Sequence, residues 1–133
     1  MKLLRTYRPL FALSLLITVT LFPWGWLASQ SQPIDQFFTM LFPELVGHII
    51  GHSTIFALLG ICLLVALPAL RRPLPYLITI IGFALGQELI QLAYKQRPIV
   101  TDDFTDLLVD LAAATLVFVI WRLISYNREK VNN

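Results

Sequence analysis

The chain has 133 residues, 57% of them hydrophobic and 14% charged, with a formal net charge of +2 at pH 7. An average soluble domain is roughly 25% charged, and a soluble protein this short could not hide so much apolar surface. The bilayer is therefore the expected solvent, and the expected fold class is all-α: one polytopic membrane domain, residues 1–133, of four transmembrane helices.

The first apolar run extends from Pro9 to Ala28 behind Lys2, Arg5 and Arg8. A run of about 20 apolar residues crosses a ~30 Å hydrocarbon core, so this is the first expected span, 9–28. A basic start and the ending Trp26-Leu27-Ala28-Ser29 also fit a secretory signal peptide. Against cleavage stand the length of the run, Pro23 with Trp24 and Trp26 near its end, and the lack of an A-x-A site. Ser29 to Pro43 is the longest connection. Its Phe37, Phe38, Met40, Leu41 and Phe42 fit a short segment lying in the membrane interface, and a plain loop fits as well. The remaining expected spans are 45–70, 74–94 and 104–126, with Pro68, Pro73 and Pro75 punctuating the turn between the second and third. No internal repeat, low-complexity tract or domain-dividing linker is present.

Orientation follows from the basic residues. Lys2, Arg5, Arg8, Arg71, Arg72, Arg122, Arg128 and Lys130 fall on one side of the four spans, and only Lys95 and Arg97 on the other. The positive-inside rule places the first group in the cytoplasm, with both chain ends, and puts 29–43 and 95–103 outside. The positive charge is thus a topology signal, and no nucleic-acid partner is expected. Cys62 is solitary and sits within the second span, where a lone cysteine serves as a small apolar filler.

The ionisable residues inside the spans carry the functional signal. The second span holds His48 and His52, the third Glu88 and Gln91, and the fourth Asp106 and Asp110 just after Asp102 and Asp103. Spacings of three and four place each pair on one helix face. Asp102, Asp103, Asp106 and Asp110 share a sector about 100° wide, continued by Ala113 and Val117. Ala84, Gln87, Glu88, Gln91 and Tyr94 share a face of the third span. At 1.5 Å per residue, His52 lies about 12 Å below Glu44, Glu88 about 9 Å below Tyr94, and Asp110 about 9 Å below Phe104. All are outer-end depths, and the segments 58–70, 76–87 and 111–121 contain no ionisable side chain apart from Tyr76 and Cys62. A charge at a helix centre costs about 2.5–3.5 kcal/mol on insertion scales, and less toward the interface. Glu88, Asp106 and Asp110 are therefore expected to face inward in a coupled acid/base cluster, with His48, His52, Arg97 and the Gln91 amide as partners. Interhelical hydrogen bonding, worth about 0.6 kcal/mol per contact, is the plainer account of the same residues.

Histidines at i and i+4 with a carboxylate from another helix have a zinc-like ligand geometry. The segment His48-Ile49-Ile50-Gly51-His52 lacks the H-E-x-x-H pattern, however, so neither a metal nor a cofactor is expected. Haem held by both histidines is excluded by geometry, because residues four apart on one helix cannot take opposite faces of the ring. Gly47-x-x-x-Gly51 and Gly82-x-x-x-Gly86 match the close-approach pattern of membrane helices, and homo- or hetero-oligomers are among the contacts they could mediate. Gly82 and Gly86 lie nearly opposite Glu88, which assigns them a different neighbour.

His52 with Phe56, Glu88-Leu89-Ile90-Gln91, then Arg97, then Asp106-Leu107-Leu108-Val109-Asp110 with Ala112–Ala114 form an ordered pattern. In order and spacing it resembles the VanZ-like family of small bacterial membrane proteins, named for an accessory protein of glycopeptide (teicoplanin) resistance. The likeness covers about Glu44 to Trp121. There are departures: His48-Ile49 stands where the family often has Asp-Lys, and Ala replaces Gly after the last acid. The interval from Arg97 to Asp106 is also longer, which brings in Asp103 as a carrier of part of that role. The resemblance implies a multi-pass protein of the bacterial cytoplasmic membrane, working in the cell envelope.

The expected ligand-binding residues are His52, Glu88, Gln91, Arg97, Asp106 and Asp110, with Arg97 placed to meet an anionic headgroup. The expected partners are membrane lipid and a lipid-linked envelope precursor or glycopeptide-type drug. An acid/base enzyme using Glu88, an aspartate and His52 is the alternative, though no nucleophile motif or phosphate loop accompanies it. A structural subunit of a larger complex is the third. An ion path is disfavoured, because the cytoplasmic halves offer no relay groups.

Overall fold

The computed structural model describes residues 2–41, 44–96 and 98–132, and all regular structure among them is helical. In chain order the helices are α1 (Lys2–Leu21), α2 (Trp24–Ser29), α3 (Gln32–Leu41), α4 (Glu44–Ala66), α5 (Pro73–Lys95) and α6 (Thr101–Asn132). A single 3-10 turn, Pro68–Arg71, joins α4 to α5. Three segments are long and apolar enough to cross a membrane: Ile49–Ala66, Pro73–Tyr94 and Thr101–Arg128.

The run expected to form one span over 9–28 is divided. Its helix stops at Leu21, and α2 begins at Trp24. Pro23 is the cause, since its ring blocks the preceding turn and it has no amide hydrogen for the Val19 carbonyl. The Trp24 indole Nε1 donates to that carbonyl instead, at 2.8 Å. The apolar part of α1 is Pro9–Leu21, shorter than the other three segments. The connection after α2 contains α3, in which Ile34, Phe37, Phe38 and Leu41 recur at helical spacing while Gln32, Asp35, Gln36 and Thr39 fill the other side. The connection is thus a short amphipathic helix rather than a plain loop.

The second turn repeats the proline logic. Pro68 cannot donate to the Leu64 carbonyl, and Arg71 Nε donates to it at 3.1 Å. The expected span 45–70 accordingly ends early, at Ala66. Pro73 and Pro75 cost nothing in the first turn of α5, where amide hydrogens lack helical partners anyway. At the other end, Gln96 adopts a left-handed conformation (φ 49°, ψ 37°) and its N–H bonds Leu92 O at 3.0 Å, closing α5. α6 opens with a reciprocal cap. The Val100 N–H donates to Asp103 Oδ2 at 2.8 Å, and the Asp103 N–H donates back to Val100 O at 3.2 Å.

α4 and α6 run side by side in the same direction, and α5 returns antiparallel between their ends, contacting α6. α1 lies along α4 and touches α5. The core is built from one stripe per helix: Phe56, Leu59 and Leu63 on α4, Tyr76, Ile80 and Ala84 on α5, and Ala114 on α6, joined by Leu13 of α1. Tyr76 is fully buried; its hydroxyl donates to Ala114 O at 2.8 Å, and its ring lies 4.9 Å from that of Phe118. Gly60 lets that hydroxyl approach, since a Cβ there would collide with it. Outward-facing Phe11, Leu58, Ile78, Leu89, Leu108 and Leu116 stay exposed, forming an apolar exterior suited to hydrocarbon.

Candidate functional site

Each core stripe continues into polar residues at one end of the bundle. On α4 the sequence 52, 56, 59, 63 carries His52 into register with the core. On α5 the series 76, 80, 84, 88 ends at Glu88, and on α6 the series 103, 106, 110, 114 begins with three aspartates. The parallel α4 and α6 start at this end and the antiparallel α5 finishes there, so the three polar sets fall at one level. His52, Glu88, Asp103, Asp106 and Asp110 are all buried, Asp110 completely.

The centre is a contact between α4 and α6. His52 Nδ1 lies 2.9 Å from Asp110 Oδ1, and His52 Nε2 lies 4.0 Å from Asp106 Oδ2. Glu88 reaches the same place from α5. One ligating atom from each of His52, Glu88 and Asp110 lies within 4.8 Å of the others. Both Glu88 carboxylate oxygens are buried and make no hydrogen bond among the described residues. An ionised carboxylate accepts hydrogen bonds and cannot donate, so Glu88, Asp106 and Asp110 offer acceptors to an imidazole with at most two N–H groups. The cluster therefore has more negative than positive capacity among the described residues, and leaving a buried charge uncompensated is costly.

Of the residues expected at the site, the structure brings His52, Glu88, Asp106 and Asp110 together. Gln91 sits half-buried on the Glu88 face of α5, one turn nearer the end of the helix. Arg97 lies outside the described residues, as does the side chain of His48. The Asp cluster splits by role. Asp102 is exposed, while Asp103, the expected carrier of part of the Asp106 role, caps α6 through Val100.

Two further buried polar groups lie outside the expected site. Thr20 Oγ1 on α1 and Gln87 Oε1 on α5 are buried without a hydrogen-bond partner among the described residues. Gln87 was visible as a member of the Glu88 face. Thr20, one of two threonines in an apolar run, carried no signal. Of the glycine pairs, Gly86 faces α1, where an added Cβ would meet Leu21 Cδ2 at 3.8 Å, whereas Gly82 has nothing within 4 Å. The close-approach pattern on α5 is thus used within the chain at only one of its two positions. Comparison with known proteins finds no matching family model, no matching curated protein and no matching solved structure.

Proposed function

We propose that this chain is a VanZ-like protein of the bacterial cytoplasmic membrane. In this reading α1 supplies a fourth span, both chain ends are cytoplasmic, and the polar end of the bundle opens to the outside. There it binds the polar part of a cell-envelope component, such as a lipid-linked precursor or a glycopeptide-type antibiotic. The observation that carries the reading is the convergence of His52, Glu88, Asp106 and Asp110 from three helices at one level, above a largely apolar core. Intramembrane ionisable groups are expensive, and a site is their commonest reason to persist. Arg97, in the connection between α5 and α6, is at the right place in the chain to add a phosphate- or carboxylate-binding fork.

A second reading draws on one contact. Asp110 against His52 Nδ1 is the orienter-and-base arrangement of acid/base catalysis, in which Nε2 would be the proton-exchanging nitrogen. Glu88 would then be the paired acid.

The binding reading is tested by thermal shift of the detergent-purified chain against lipid phosphates and glycopeptides. A ligand at 100 times its Kd stabilises by about 2.7 kcal/mol. Glu88→Gln keeps shape and removes the charge, and Arg97→Lys keeps charge and removes the bidentate fork. Both variants are expected to express at wild-type level, to lose the ligand-induced shift and to fail in an envelope-antibiotic susceptibility assay. Full activity in both would instead support interhelical glue, where losing a neutral hydrogen bond costs only about 0.6 kcal/mol.

A further inference from the structure

We infer that His52, Glu88 and Asp110 form a binding site for a zinc-like divalent cation, with Asp106 as the outer carboxylate that orients the imidazole. The inference stands on the cluster alone and does not depend on the envelope-ligand reading.

Three observations converge on it. One nitrogen and two carboxylate ligands from three different helices lie mutually within 4.8 Å. Bonds of about 2.0–2.2 Å to a common metal set ligand-to-ligand separations of roughly 3–3.6 Å, so side-chain rotation of about an ångström closes the set. His52 Nδ1 and Asp110 Oδ1, hydrogen-bonded at 2.9 Å, need to part by only a few tenths of an ångström to take up adjacent-ligand spacing. Secondly, Glu88 is 7% exposed, and neither of its carboxylate oxygens has a hydrogen-bond partner among the described residues. A buried polar group left unsatisfied at the edge of a His–Asp pair indicates a guest that accepts lone pairs. Thirdly, a cation on Nδ1 moves the ring proton to Nε2, which faces Asp106 Oδ2 at 4.0 Å. Once Asp106 closes to hydrogen-bonding distance, that pair is the carboxylate–histidine–metal relay by which proteins fix the tautomer and orientation of a ligating imidazole.

The donor set chooses the cation. One imidazole with carboxylates is a nitrogen–oxygen site of the kind taken by zinc and its first-row neighbours, whereas magnesium and calcium prefer oxygen throughout. Three protein ligands leave a coordination position open, the pattern of zinc sites that bind water or a substrate rather than of closed structural sites. Among the described residues the set combines His52 of α4 with one carboxylate each from α5 and α6.

The test uses the full chain in detergent, stripped with a chelator and titrated with zinc by calorimetry, with bound metal then counted by mass spectrometry. The expected result is one zinc per chain. Glu88→Gln, an amide in place of a ligating carboxylate, is expected to abolish that stoichiometric binding. Asp106→Asn is expected to weaken it by about 10–100-fold, the usual effect of removing an outer-shell partner. Asp102→Asn, an exposed neighbour on the same helix, is expected to bind as the wild type does. Circular dichroism and size-exclusion profiles matching the wild type show that each variant is folded, and a misfolded Glu88→Gln leaves Asp106→Asn against Asp102→Asn as the deciding comparison. Zinc at background level in the wild-type chain overturns the proposal and leaves protons or Arg97 as the positive partners of the cluster. So does equal binding by all variants, the sign of adventitious surface sites. Zinc uptake without any shift from lipid phosphates or glycopeptides defeats the envelope-ligand reading and leaves this one standing; the reverse pattern defeats this one alone.

Discussion

At the scale of single residues, the polar end and the apolar core of the bundle are two halves of the same helical stripes. His52 is one turn from Phe56, Glu88 one turn from Ala84, and Asp110 one turn from Ala114, so a disturbance in the core is felt at the cluster. Tyr76 and Gly60 make the coupling testable. The Tyr76 hydroxyl is held by Ala114 O and fills the space beside Gly60. Gly60→Ala is therefore expected to destabilise by about 1–3 kcal/mol through overpacking. Tyr76→Phe alone is expected to cost about 1 kcal/mol for the lost hydrogen bond. In the Tyr76→Phe background the Gly60→Ala penalty should shrink, because the colliding atom is gone. Unfolding titrations of the four proteins in mixed micelles measure the coupling. Additive penalties would show that the close approach carries no energy.

At the scale of elements, α1 and α4 each end two residues before a proline, and in both cases a side chain just beyond the break covers the stranded carbonyl. Trp24 does so for Val19 behind Pro23, and Arg71 for Leu64 behind Pro68. In a low-dielectric setting an orphaned carbonyl is costly, so the donors are part of the helix ends rather than decoration. Arg71 also places its guanidinium 5.6 Å from the centre of the Trp121 ring, tying the α4–α5 turn to the far part of α6. Arg71→Ala is expected to lower stability by about 1 kcal/mol, the ordinary net worth of such a hydrogen bond. Replacing Pro68 by Ala restores an amide hydrogen for Leu64, so Arg71→Ala should cost less in that background. An equal loss in both would assign the role of Arg71 to the Trp121 contact alone.

At the scale of the molecule, the arrangement sorts chemistry by level: acidic groups and an imidazole at one end, and at the other an apolar core with Arg71 and Arg72 in its turn. α6, at 32 residues, is about 48 Å long. It exceeds the ~30 Å hydrocarbon core, so its last turns, with Arg128 and Lys130, run on into water. If the basic end is cytoplasmic, cysteines introduced at Gln32 and Thr101, both exposed, should react with an impermeant thiol reagent in intact cells. Reaction only after lysis would invert the orientation and place the cluster on the cytoplasmic side.

The sequence by itself determined the helical class, the apolar segments within α4, α5 and α6 and the residues that share a face and a depth, because period and rise are properties of one helix at a time; it also expected a fourth span over 9–28, which the structure divides. It placed His52, Glu88, Asp106 and Asp110 at a common level from that rise together with the alternating direction of the spans. It misjudged where the first and second helices end. Proline marks a break, but whether the chain resumes at once depends on who satisfies the freed carbonyl, and those donors, Trp24 and Arg71, act through side-chain geometry. Only the tertiary structure decided that His52 meets Asp110 through Nδ1, that Glu88 meets no hydrogen-bond donor among the described residues, that Asp103 caps α6, and that Gly86 rather than Gly82 receives α1. Those outcomes depend on the rotation of each helix about its axis relative to its neighbours. That rotation is settled jointly by the packing of Phe56, Leu59, Leu63, Tyr76, Ile80 and Ala114, and no single helix encodes it.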